Sequence, residues 1–170
     1  MQRYSVIDDV PSPRIRRLYE YWMTKKGGRA MPSRQDIDPA DIPALLPYII
    51  MTRLEYAPFR VRYTLVGTRC VENGAFDYTG HYLDELYFRT EHDTDWHEIY
   101  SLLSREKLPI LGLCEVKFDN GLLKPYAVAI LPLSSDGATV DQTIALEDLE
   151  LEPLEAMRRP PTIRIGEPPR

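Results

Sequence analysis

Cysteine and histidine are scarce in this chain of 170 residues, which has two of the first and three of the second. Cys70 and Cys114 are far apart, fit no metal or redox spacing and lie in apolar segments. They read as buried free thiols, which suits a reducing compartment. His92 and His97 are spaced i, i+5 rather than the i, i+4 that turns two imidazoles to one side of a helix, and no third ligand stands at a matching distance. No structural metal is expected.

Positive charge is also short. The net charge of -5 argues against a nucleic-acid partner, since phosphate binding needs a basic surface. No apolar run approaches the roughly 20 residues that cross a bilayer, and MQRYSVIDDVPSPR has no apolar core of a secretory signal. The expected location is the cytoplasm, with no membrane contact. The chain lacks a glycine-rich phosphate loop and a Gly-x-Ser-x-Gly elbow. The acidic groups Asp93, Asp95 and Glu98, with Asp84 and Glu85 nearby, are explained by helix N-termini, whose dipole favours negative charge. No enzyme is expected, and no catalytic residue.

What is present is ordinary globular composition, 44% hydrophobic and 28% charged, enough for one domain with a core. Residues 1–13 read as a flexible arm ending in Pro-Ser-Pro. Ser12 then suits a cap and Pro13 a first helical turn. Ile15, Leu18, Tyr19, Trp22 and Met23 form one apolar stripe, and Gly27-Gly28 ends the helix. Such a stripe packs either on the domain's own sheet or on the same helix of a second subunit; as an interface it implies a homodimer. Around it, between Arg14 and Arg34, Glu20 is the only acid, against Arg14, Arg16, Arg17, Lys25, Lys26, Arg29 and Arg34. That surface reads as a solvated helix face, with an anion-binding adaptor as the rival.

Residues 14–47 thus hold the helix and a proline-punctuated connection, in which Asp38 suits a cap for a turn beginning at Pro39. Residues 48–146 form the core. Strands are expected over 48–55 and 59–66, joined at Ala57-Pro58, with Phe59, Val61, Tyr63 and Leu65 on one face. Short helical pieces fill 67–87, and a longer helix spans 94–107, capped by Asp93 or Thr94. Strands over 110–118 and 122–131 flank Asp119-Asn120-Gly121, a strong hairpin signal, and a last strand covers 138–146. Pro125 cannot donate to a ladder, so a bulge or an edge is expected there. Residues 147–170, acidic and then rich in proline and arginine, read as a disordered tail. Five strands with helices between the two groups make an α+β domain: one antiparallel sheet with helices on one face, plus the N-terminal amphipathic helix.

The block LYEYWMTKKGGRAMPSRQDIDPADIPALLPYI, the strand and turn RYTLVGTRC and the segment DYTGHYLDEL resemble a PAS-like family of small, mostly free-standing proteins, mainly alphaproteobacterial. The resemblance spans residues 14–146. It departs from the family pattern where Asn73-Gly74-Ala75-Phe76 stands in place of an aromatic-Gly-basic run.

The resemblance implies a non-enzymatic sensory or regulatory role, with signal transduction through a protein partner. It fixes no cofactor. Haem-binding relatives would use a histidine of the long helix, here His97, and flavin photosensors a reactive cysteine in an Asn-Cys-Arg-type motif, which the surroundings of Cys70 do not match. PAS domains hold ligands between the inner sheet face and the helical crossover. Carried onto this chain, that cleft would be lined by Tyr63, Leu65, Phe76, Tyr100, Cys114, Tyr126 and Val128, with Arg69 as the charged contact. The rival reading is that these side chains fill the core and the protein is a ligand-free interaction module.

Overall fold

A computed structural model describes residues 1–74, 76–86, 94–117 and 123–151. The elements in order are strand β1 (Gln2–Tyr4), helix α1 (Pro13–Lys26), strands β2 (Ile49–Tyr56) and β3 (Phe59–Val66), helices α2 (Thr68–Gly74) and α3 (Trp96–Glu106), and strands β4 (Ile110–Lys117), β5 (Leu123–Leu133) and β6 (Gln142–Asp148). They form one six-stranded sheet in the order β1-β4-β5-β6-β2-β3, with antiparallel pairings throughout. Two hairpins, β2–β3 and β4–β5, are thus joined through β6, which lies between β5 and β2. The expected hairpin turn at 119–121 lies outside the described residues, as do Asp93 and the tail from 152. Helix α3 is capped not by Asp93 or Thr94 but by Asp95, which accepts from Glu98 N at 3.0 Å.

The sheet is covered on both faces. Alternation along β6 places Thr143, Ala145 and Glu147 on one face and Ile144, Leu146 and Asp148 on the other. The Asp148 face receives α1. Ser12 Oγ accepts from Ile15 N at 3.1 Å, capping the helix as expected, and itself donates to Asp148 Oδ2 at 2.6 Å. Arg14 bonds the other oxygen of Asp148 at 3.0 Å and reaches Glu150 at 2.7 Å, and its guanidinium lies 4.4 Å above the Tyr48 ring. The nearly sealed Asp148 is thereby fully compensated, which a buried carboxylate requires. Farther along α1, Ile15, Leu18 and Trp22 are buried, and Trp22 Nε1 donates to the Pro132 carbonyl at 2.9 Å. The apolar stripe therefore packs on the chain's own sheet. Of the residues proposed for a subunit contact, only Met23, exposed, and Tyr19, partly buried, keep surface to offer a partner.

Two departures from the expected strands have local causes. Gln2–Tyr4, expected in the arm, pair with Leu111–Leu113 and make the sheet one strand wider. At its other end the last strand runs through Glu147 and Asp148, both assigned to the tail by sequence, and leaves Ala138 to the preceding turn. Pro125 pairs with Glu115 beyond the last β5–β6 pair, Ala127 with Asp148, so β5 is an edge at that point and needs no bulge.

The chain passes tightly from β3 into α2. The Gly67 N–H donates to the Ile49 carbonyl at 2.8 Å, and a Cβ at Gly67 would lie 2.4 Å from the Pro47 carbonyl oxygen. Rigid backbone stands in the way, so no side-chain rotation relieves the clash. Gly67→Ala is expected to destabilise the fold by about 2 kcal/mol or more, as overpacking at a rigid contact does. A urea melt with an unchanged midpoint would contradict this.

Candidate functional site

The face of the sheet opposite α1 is covered by α2, α3 and residues 76–86 between them. The turn after α2 is pinned to the outer edge of β3. Gly80 N donates to the Tyr63 carbonyl at 2.7 Å and Tyr63 N to the His81 carbonyl at 2.9 Å, while Arg62 bridges to Tyr82. Gly80 has φ 91°, a backbone conformation that favours glycine. Asp77 closes the turn by accepting from Thr79 N at 2.9 Å. Arg60 grips Asp84 through two bonds of 2.7 and 2.9 Å and lies over the Tyr82 ring. These contacts set Tyr78 against Tyr63, with ring centroids 4.9 Å apart at an interplanar angle of 87°, an edge-to-face pair.

From α3, Tyr100 reaches the same space. Its hydroxyl meets the pair Thr52 and Thr143, whose own oxygens are 2.7 Å apart on neighbouring strands. Tyr126 and Cys114 face each other across β4 and β5, and Val128 stands opposite Glu147 across β5 and β6. Cys70 of α2 donates its thiol to the Tyr48 carbonyl at 3.5 Å. Apart from Glu147, all of these side chains are nearly sealed from solvent. Burial accordingly pushes the Tyr63, Tyr78, Tyr100 and Tyr126 hydroxyls and the Cys70 thiol far up, and Cys114 up to about 11. They remain neutral at every physiological pH.

One group in this space is of a different kind. Glu147 points to the same face, and its negative charge acts on Tyr63, Cys70, Tyr78, Tyr100, Cys114 and Tyr126 alike. Desolvation alone pushes its own carboxyl up to about 7, against an ordinary 4.5. No hydrogen-bonding group or cation among the described residues offsets that penalty. Yet Glu147 keeps some accessible surface, while the side chains around it are sealed. Glu147 is thus the partly accessible residue on a face whose other named side chains are sealed.

The residues expected to line the cleft divide cleanly. Tyr63, Tyr100, Cys114, Tyr126 and Val128 are on the inner face. Leu65, Phe76 and Arg69 are not part of its interior. The ladder between β2 and β3 slips between Met51 and Thr52, leaving Thr64 without an opposite partner. This bulge inverts the alternation, so Leu65 turns outward and is 43% exposed. Phe76 is 49% exposed, and its ring centroid lies 5.8 Å from that of Tyr78. Arg69 points out from α2 and pairs with Glu72 at 2.9 Å. Gly74, in the segment that departs from the family pattern, is not sterically required, since a Cβ there would stand 3.5 Å from Tyr78, an ordinary contact. His97 is on the outer side of α3, exposed, with its ring edge-on to Phe59 at 5.2 Å. It stands away from the sealed inner-face side chains, so the haem assignment finds no support at that residue. Glu147, Tyr78, Thr52 and Thr143 are inner-face residues that sequence reasoning did not name.

A family model described as a PAS domain matches residues 10–146. The chain belongs to this PAS family. The PAS sheet here is widened by β1 and backed by α1, and the helices and turn between β3 and β4 make the crossover over its inner face. No curated protein matches the sequence. Among solved structures, the chain is similar to the light-state structure of the LOV domain of the blue-light photoreceptor Aureochrome1, at 7% identity and a TM-score of 0.48, covering 69% of this chain and 91% of that one. It is also similar to a fungal LOV domain photoreceptor, at 12% identity and a TM-score of 0.44, covering 69% of this chain and 94% of that one. No helix among the described residues is long and apolar enough to cross a membrane.

Proposed function

We propose that this PAS domain is a sensory or regulatory module that holds a small molecule between the inner sheet face and the crossover, and that it signals by contact with a protein partner. The observation that carries this reading is Glu147, a partly accessible carboxylate residue on an inner face whose other named side chains are sealed. The surrounding lining is apolar and aromatic with a few polar atoms, the composition of small-molecule sites. The tight burial of every other inner-face residue favours a second reading, a filled core that serves only protein contacts. An anion-binding role for the segment from Arg14 to Arg34 is less well supported, because Arg14, Lys25 and Arg29 are engaged by Asp148, Asp41 and Asp36. We assign no catalytic step.

Native mass spectrometry of protein purified from its own source separates the two main readings and reports subunit number in the same spectrum. The expected spectrum contains a species heavier than the polypeptide that falls to the chain mass on collisional activation. A spectrum with only the bare chain, alone or in multiples, would favour the filled core.

A further inference from the structure

The inner face limits the chemistry of the molecule it would hold. Within it, the phenols of Tyr63, Tyr78, Tyr100 and Tyr126 and the thiols of Cys70 and Cys114 are neutral. Glu147 is the one charged side chain among the described residues that faces this space. The Met1 ammonium acts on Cys114 but is not among the influences on Glu147. Arg69, the cation that sequence reasoning offered to the cleft, points outward to Glu72. An anionic ligand would therefore meet no counterion among the described residues and one repelling carboxylate. A neutral one would leave the Glu147 carboxylate uncompensated wherever it is ionised.

From this geometry we infer that the inner face of the PAS domain binds an organic cation, an ammonium group on an apolar body, with the Glu147 carboxylate as its counterion and tyrosine rings as its walls. An ammonium supplies the hydrogen bonds and positive charge that the carboxylate lacks. Tyrosine faces attract cations through the ring quadrupole, most strongly where water is excluded. Val128, opposite Glu147, and the neighbouring aromatic carbons would cover the apolar part of the ligand. Each feature favours the same charge type.

This inference rests on the pocket reading but fails separately from it. The test is isothermal titration of the full chain at pH 8 with straight-chain primary alkylammonium ions from propyl to octyl. The alcohol and the carboxylate of each chain length are titrated alongside. The expected result is that, at the best chain length, the ammonium binds at least 10-fold more tightly than its alcohol, while the carboxylate does not bind. In Glu147→Gln that preference should vanish, and in the wild-type protein ammonium affinity should rise from pH 6 to pH 8 as Glu147 ionises. Alcohols binding as well as ammonium ions would overturn the cation inference and leave the pocket standing. An ammonium preference that survives Glu147→Gln would overturn the role of this carboxylate. If no ammonium ion binds, the inference falls, and the pocket itself is then decided by the native mass spectrum.

Discussion

Trp22→Glu is expected to unfold the isolated chain rather than convert a dimer into folded monomers. Trp22 is 2% exposed and is among the largest fully buried side chains. Its ring packs where α1 crosses the sheet, 6.3 Å from the Tyr19 ring, and its indole N–H supplies the Pro132 carbonyl. Truncation to alanine alone removes about 3–5 kcal/mol from a buried tryptophan, and the orphaned carbonyl adds roughly 1–3 kcal/mol. Domains of this size have only about 5–15 kcal/mol in hand. A buried glutamate is worse, because a charge taken out of water costs far more than an apolar ring unless it is paired, as Asp148 is by Arg14 and Ser12. Far-UV circular dichroism with sedimentation velocity checks this. Loss of the folded signal is the expected outcome, and a well-folded monomer derived from a dimeric parent would show that the stripe is an interface after all.

That residue also shows what was legible in the sequence. Periodicity identified the stripe correctly, because an amphipathic helix announces its buried face through spacing alone. It cannot say which surface covers that face, since a sheet and a second copy of the helix make the same demand for apolar residues. The β3 strand shows a different limit. Its ends, Phe59 and Val66, were readable from alternation and the flanking turns. The bulge at Thr64 was not, because an extra residue in a ladder is defined by the partner strand β2, not by β3 itself. Leu65 was misplaced for that reason alone. The short β1 was hidden for a similar cause: three residues have no periodicity to read, and their pairing depends on the open edge of β4.

The site was half legible. Tyr63, Tyr100, Cys114, Tyr126 and Val128 are inner-face residues because strand and helix periodicity put them there. Glu147 was missed because a Glu-Asp-Leu-Glu run resembles the start of a solvated tail. The signal was nonetheless present: continuing the alternation of Thr143 and Ala145 by one step puts Glu147 on the same face, and Ile144 and Leu146 lead likewise to Asp148. Two adjacent carboxylates thus enter opposite faces of one sheet with opposite fates. Asp148 is met by Ser12 and Arg14, whereas Glu147 is met by neutral groups. A domain that gains nothing from an uncompensated carboxylate has no stability reason to keep one, and such strain is concentrated at functional positions.

The size of that strain leads to the second large expectation: Glu147→Gln stabilises the protein above neutral pH by on the order of 3 kcal/mol. The carboxyl titrates at 4.5 when unfolded and at about 7 when folded, with burial as the cause. Below pH 4.5 both states hold the proton, so the group contributes nothing to the pH dependence. Between 4.5 and 7 the folded state keeps the proton that the unfolded state has lost, so unfolding releases it and stability falls as pH rises. Above 7 the penalty is complete. The sign is opposite to that of exposed carboxylates such as Asp136, whose pKa is lowered mainly by backbone N–H groups of Thr139 and Ala138, and which lose their stabilising effect only in acid. The phenols and thiols facing Glu147 do not titrate in this window, because burial holds them above it. Urea unfolding of both proteins at half-unit steps from pH 4.5 to 8 isolates the effect, because other titrating groups cancel in the difference. The curves should coincide near pH 4.5 and diverge progressively to pH 7. A constant difference across the range would mean that Glu147 is solvated in the folded state. The enclosed, uncompensated carboxylate, and with it the cation site, would then have no basis.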